Sequence, residues 1–83
     1  MNISLEISYY PLTNKYSSPI REFIDGLGSD HRISVQLGPM STLISGDYDT
    51  VMQVLISRLR PLMEKYPSVF TMKLSNACKI SGE

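Results

Sequence analysis

Four stretches of this chain alternate apolar and polar residues with a period of two, and two others repeat apolar residues every three or four positions. Residues 2 to 10 set Ile3, Leu5, Ile7 and Tyr9 against Ser4, Glu6, Ser8 and Tyr10. That is the pattern of a strand with one buried face, and Pro11 ends it. Residues 32 to 37 oppose Ile33, Val35 and Leu37 to Ser34 and Gln36, and residues 40 to 45 oppose Met40, Thr42 and Ile44 to Ser41, Leu43 and Ser45. Residues 68 to 75 oppose Phe70, Met72 and Leu74 to Thr71, Lys73 and Ser75. Between these runs, Ile20, Phe23, Ile24 and Leu27, and later Val51, Leu55, Leu59 and Leu62, fall at helical spacing. Four one-faced strands and two one-striped helices in the order βαββαβ bury their apolar surfaces by laying both helices on one side of one sheet. The expected fold is α+β, a ferredoxin-like two-layer sandwich with a four-stranded antiparallel sheet.

Local signals sharpen this outline. Ser18 is placed to cap the first helix, with Pro19 in a first turn where a missing N–H costs little, and Gly26 and Gly28 supply the stop. Gly38-Pro39 closes a turn before the third strand, so Ser41 and Thr42 are expected inside a rigid strand rather than on a loop. Gly46 is expected to break that strand, Asp47 to act as N-cap, and Asp49 to sit in the positive first turn of the second helix. Pro61 removes the hydrogen bond to the Ser57 carbonyl, which predicts a kink or stop near Arg60.

The 83 residues are expected to form a single domain over 1–83. Formal net charge is zero with no basic or acidic block, which argues against a nucleic-acid partner. One cysteine, Cys78, fits a reducing compartment, and His31 as the single histidine makes a dedicated metal site improbable. No secretory leader and no membrane-length apolar run is visible, so a soluble cytoplasmic protein is expected. No nucleophile is paired with a base, Cys78 reads as an inert thiol, and Met40, Met52, Met63 and Met72 read as core filler. Catalytic and metal residues are therefore expected to be none.

The sheet face turned away from the helices is charge-poor and hydroxyl-rich, with Tyr10 and Leu43 as apolar spots. Such a face is expected to pack at least partly on another copy, giving a homodimer or homotetramer. Glu6 and Lys73 lie on adjacent strands of this face; a cross-strand ion pair is the simpler reading and a ligand-binding carboxylate the other.

Ser8-Tyr9-Tyr10-Pro11-Leu12, Met40-Ser41-Thr42-Leu43-Ile44-Ser45-Gly46-Asp47-Tyr48-Asp49 with Val51-Met52, and Leu74-Ser75-Asn76-Ala77-Cys78 together resemble the thiamine-binding protein family, in particular the repeat unit of its YkoF-like members. The resemblance spans nearly the whole chain in order and spacing. It implies an oligomeric domain that holds thiamine, or its hydroxymethylpyrimidine half, without transforming it and without a cofactor. This chain carries one repeat where YkoF-like chains carry two, so a second copy would supply the equivalent assembly. The resemblance maps Ser41 and Thr42 onto the family's third-strand hydroxyls and Ser8 and Tyr10 onto its first-strand motif, with Met40 and Asn76 beside them as further ligand-binding candidates. Hydroxyl and amide groups that both donate and accept suit an aminopyrimidine. An oligomeric structural or regulatory sensing domain with a different ligand is the other reading. RNA binding is weakened because Tyr10 alone could stack a base, and a phosphatase would need a glycine-rich anion loop where Pro11-Leu12-Thr13-Asn14 stands.

Overall fold

The computed structural model describes residues 1–15 and 17–77; Cys78 and its expected inertness lie outside them. The elements are β1 (Asn2–Pro11), α1 (Ser17–Gly28), β2 (Ser34–Leu37), β3 (Thr42–Asp47), α2 (Tyr48–Lys65) and β4 (Ser68–Ser75). They form the expected α+β sandwich: one antiparallel sheet of order β2-β3-β1-β4, with both helices on one face. β1 is central, and pairs Leu5 with Ile44 of β3 and with Leu74 of β4. The buried core is Ile3, Leu5, Ile7 and Ile44 from the sheet, Phe23 and Leu27 from α1, and Val51, Val54, Leu55 and Leu62 from α2; Val54 adds to the expected stripes, Ile24 and Leu59 are partly buried against the core, and Ile20 is exposed.

Several boundaries differ from expectation for identifiable reasons. Ser18 lies inside α1 rather than at its cap, with Pro19 still in the first turn. β2 starts at Ser34 because Asp30 claims the preceding backbone: its carboxylate accepts from the Arg32 N–H at 3.1 Å and from the guanidinium at 3.0 and 2.7 Å, bending residues 30–33 into a turn. β3 starts at Thr42, because the Gly38 N–H donates to the Ser41 carbonyl at 2.9 Å and draws Met40 and Ser41 into the hairpin turn. Ser41 is thus a turn residue, and Thr42 a strand residue. Gly46 does not break β3. It stays paired with Ile3 and packs so closely that a Cβ there would sit 3.3 Å from Val51 Cγ2. Asp47 holds the N-cap position of α2 without a side-chain capping bond, its carboxylate lying 3.3 Å from the Met1 amino group instead.

α2 runs through Pro61 to Lys65. Ser57 and Pro61 are both exposed, so water can serve the carbonyl that Pro61 leaves without a partner. Beyond the proline, Leu62 is buried, and the last turn is tied to α1: the Tyr66 hydroxyl donates to Glu22 Oε2 at 2.6 Å and Lys65 Nζ lies 3.3 Å from the same oxygen. The Tyr66 hydrogen bond, aided by Lys65, holds the Glu22 carboxyl below its usual range.

The methionines are not core filler. Met40, Met63 and Met72 are 85, 54 and 50 % exposed, and only Met52 packs against the core. The reason is placement: the principal helix–sheet contacts run from α2 to β3 and from α1 to β1, leaving the helix-side face of β4 largely uncovered.

Arg32 depresses the Asp30 carboxyl to about 2, chiefly through its side-chain hydrogen bonds and next through its backbone N–H. A depressed folded-state value means that this contribution to stability is complete above the ordinary carboxylate range near about 4 and is lost as pH falls through the folded value. Carboxyl NMR is expected to place the Asp30 midpoint at about 2, and Arg32→Ala to return it toward the ordinary range; a midpoint indifferent to Arg32→Ala contradicts this.

Candidate functional site

The helix-side face of the sheet is not sealed at the end where the β2–β3 hairpin turns. There α1 stands over β1 and β3 with a cavity of about 210 Å³ between them. Ile7 and Tyr9 of β1, Leu37 of β2 and Thr42 of β3 form the floor, Ile20, Phe23 and Ile24 of α1 form the roof, and Gly38, Met40 and Ser41 form the rim. An aromatic wall stands behind it. The Tyr9 ring stacks on Phe70 with centroids 4.4 Å apart and meets Phe23 edge-on at 5.3 Å. The Tyr9 hydroxyl is engaged away from the cavity, hydrogen-bonded with Ser68 Oγ at 3.1 Å.

Thr42 is the polar group inside. It pairs with Ile7 and so shares the face of β3 that buries Ile44. Its residue is 6 % exposed, yet among the described residues its hydroxyl has no hydrogen-bond partner. A hydroxyl that lines a cavity and makes no hydrogen bond within the protein keeps one donor and two acceptor positions for an occupant. The remaining lining is apolar or small and carries no carboxylate, ammonium, guanidinium or imidazole group.

The six residues singled out above fall in three places. Met40, Ser41 and Thr42 line the cavity. Ser8 lies on the opposite sheet face but reaches the rim, its Oγ donating to the Met40 carbonyl at 3.3 Å. Tyr10 also lies on the open face, 52 % exposed and paired with Val69. Asn76 follows β4 at the far end of the sheet, where it lines a separate hollow with Met1, Ile3, Tyr48 and Leu74. Tyr10 and Asn76 are therefore not brought to the Thr42 cavity. Glu6 faces Lys73 at 4.0 Å across the open face and accepts a hydrogen bond from Ser41 Oγ at 3.0 Å, so the cross-strand pair forms and also anchors the rim. Both charged groups are exposed, which leaves the pair itself a weak contributor.

Sequence reasoning passed over Tyr9, Ile20, Phe23 and Leu37 as lining residues because their spacing marks them as core. No pattern in the sequence marks them as bordering a cavity.

Comparison with known proteins adds the following. A family model described as thiamine-binding protein matches residues 5–74. No curated protein matches the chain. Among solved structures, a Streptococcus pneumoniae protein superposes with a TM-score of 0.82 at 20% identity, covering 100% of this chain and 89% of that one. A Thermotoga maritima protein assigned provisionally to thiamine biosynthesis or salvage gives 0.79 at 17% identity, covering 90% and 83%. A Methanocaldococcus jannascii protein gives 0.76 at 18% identity, covering 99% and 84%. At these identities the likenesses establish the fold.

Proposed function

The chain belongs to the thiamine-binding protein family, and from that premise we propose that it binds thiamine, or the hydroxymethylpyrimidine half of it, in the Thr42 cavity and releases it chemically unchanged, in thiamine salvage or transport in the cytoplasm. The observation that carries the reading is the Thr42 hydroxyl, which lines an uncharged cavity with an aromatic wall and has no hydrogen-bond partner among the described residues. A planar aminopyrimidine offers ring nitrogens and an exocyclic amine to such a hydroxyl, and its faces suit the flat apolar space between α1 and the sheet. The absence of any acid–base or cationic group from the lining supports binding over catalysis, and supports placing a phosphate or the thiazolium outside the rim, near Met40 and Ser41. Ser8 and Glu6 act on the rim indirectly, by fixing the Met40 carbonyl and the Ser41 hydroxyl.

Titration calorimetry with thiamine, the free pyrimidine and thiamine phosphates tests this. The free pyrimidine is expected to retain most of the affinity and added phosphates to contribute little. No heat with any of the three overturns the reading and leaves a ligand of different chemistry.

Assembly through the open sheet face belongs to the same proposal. Leu43 is half-buried there, Tyr10 and Val69 are exposed, and the charges of that face are few. Leu43→Lys is expected to lower the mass measured by light scattering at micromolar concentration, since a buried unpaired charge is costly; an unchanged mass removes that face from the assembly.

A further inference from the structure

The lining of the Thr42 cavity carries no charge, yet one carboxylate is tied to its edge. Glu6 sits in β1 between Leu43 of β3 and Lys73 of β4, and alternation sends its side chain to the open face. It does not swing freely in water there. The Ser41 hydroxyl donates to Glu6 Oε2 at 3.0 Å, and Ser41 belongs to the cavity rim. The rim is itself held: the Gly38 N–H donates to the Ser41 carbonyl at 2.9 Å, and the Ser8 hydroxyl to the Met40 carbonyl at 3.3 Å. The carboxylate is thereby anchored one hydrogen bond away from the cavity mouth. Among the described residues, no other charged side chain bonds to Gly38, Met40 or Ser41.

Lys73 does not cancel this charge. Its Nζ lies 4.0 Å from Glu6 Oε1, and its side chain is 89 % exposed against 47 % for Glu6. An ammonium so far into water gains little from such a contact and is held only loosely by it. Lys73 also stands on the wrong side to shield the mouth. In the sheet order β2-β3-β1-β4, the hairpin rim lies on one flank of β1 and Lys73 on the other. The pair is therefore asymmetric, with its anion fixed at the rim and its cation loose and farther away.

We propose that Glu6 sets the charge selectivity of the Thr42 cavity, favouring an occupant whose part outside the rim is cationic and disfavouring one whose outer part is a phosphate. The inference rests on the reading that an aminopyrimidine fills the cavity, and it adds which form of that ligand is preferred. In thiamine the pyrimidine is joined to a thiazolium with a fixed positive charge, which would emerge at the rim beside the carboxylate. In thiamine diphosphate the same position is followed by anionic oxygens, which the carboxylate repels. The free pyrimidine is neutral and lies wholly inside, so Glu6 is indifferent to it. An exposed charge at this range shifts the ratio of two differently charged ligands by roughly three- to tenfold, and salt screens the effect. Glu6 thus has two roles at one place, holding the Ser41 hydroxyl and biasing the mouth against anions.

The test is calorimetry of the full chain with three probes, the free hydroxymethylpyrimidine, thiamine and thiamine diphosphate, at low and at high salt. Glu6→Gln keeps an acceptor for the Ser41 hydroxyl and removes only the charge. It is expected to lower the ratio of thiamine affinity to thiamine diphosphate affinity roughly three- to tenfold at low salt and little at high salt, with binding of the free pyrimidine unchanged. Lys73→Met removes the loose cation and is expected to move the same ratio the opposite way. A ratio that neither substitution moves overturns the inference. Equal weakening of all three probes in Glu6→Gln also overturns it, because Glu6 then only positions the rim. Wild type that binds none of the three overturns the reading of the cavity together with this inference, whereas pyrimidine binding with an unmoved ratio overturns this inference alone.

Discussion

Thr42→Val is expected to weaken binding of the free pyrimidine roughly five- to a hundredfold while leaving the fold at least as stable. Val keeps the shape of Thr and removes only the hydroxyl. In the complex a buried pyrimidine nitrogen or amine then lacks its partner, which costs about 1–3 kcal/mol rather than the smaller value for a hydrogen bond that water can replace. In the free protein the same change removes a hydroxyl that has no partner among the described residues, so no native hydrogen bond is lost. Calorimetry and thermal melting on the same sample separate the two effects. Lower affinity together with an unchanged or raised melting temperature supports the site. Unchanged affinity removes Thr42 from it.

Ile44→Ala is expected to be the more damaging change to the fold itself. Ile44 is fully buried at the middle of β3, opposite Leu5 on one side and Val35 on the other, and belongs to the same core as Val51 of α2. Truncating such a residue costs about 2–5 kcal/mol in lost transfer energy and residual cavity. A domain of this length has roughly 4–12 kcal/mol in all, so the melting temperature is expected to fall by about 10–30 °C. Denaturant unfolding at fixed protein concentration measures it, with Gln53→Ala, an exposed helix position, expected within about 0.5 kcal/mol of wild type. A loss under about 1 kcal/mol for Ile44→Ala would contradict a tightly packed centre at this position.

What the alternation made legible was orientation. It put Glu6 opposite Lys73 on the open face and Thr42 on the same face as Ile44, and both placements hold. Alternation tells which way a side chain points but not what meets it there. Met72 and Leu74 point to the helix side as expected and remain half-exposed because the principal helix–sheet contacts fall on β1 and β3 rather than on β4. Thr42 points to the same side and meets a cavity, because α1 does not close over the hairpin end. The separation of Ser8 from Thr42 follows from the same rule. A pairing of Ile7 with Thr42 sends Ser8 to the opposite face, so chemical similarity of the hydroxyls could not make them converge. The stop that Pro61 suggests does not occur for a different reason: its penalty is local, whereas Leu62 and the Tyr66–Glu22 tie hold the helix from beyond it.

The strand order β2-β3-β1-β4 also governs when this protein can fold during synthesis. β1 emerges from the ribosome before either of its sheet neighbours, and its apolar row of Ile3, Leu5 and Ile7 has no partner strand next to it in the sequence. The β2–β3 hairpin is the one sheet pairing made by strands joined through a short turn; β1 joins it by closing a long loop, and β4 docks last on the outer side of β1. Non-local closures of this kind set the pace of folding. The nascent chain therefore carries an exposed hydrophobic strand at least until β3 has been made, and the outer side of β1 stays unpaired until β4 follows.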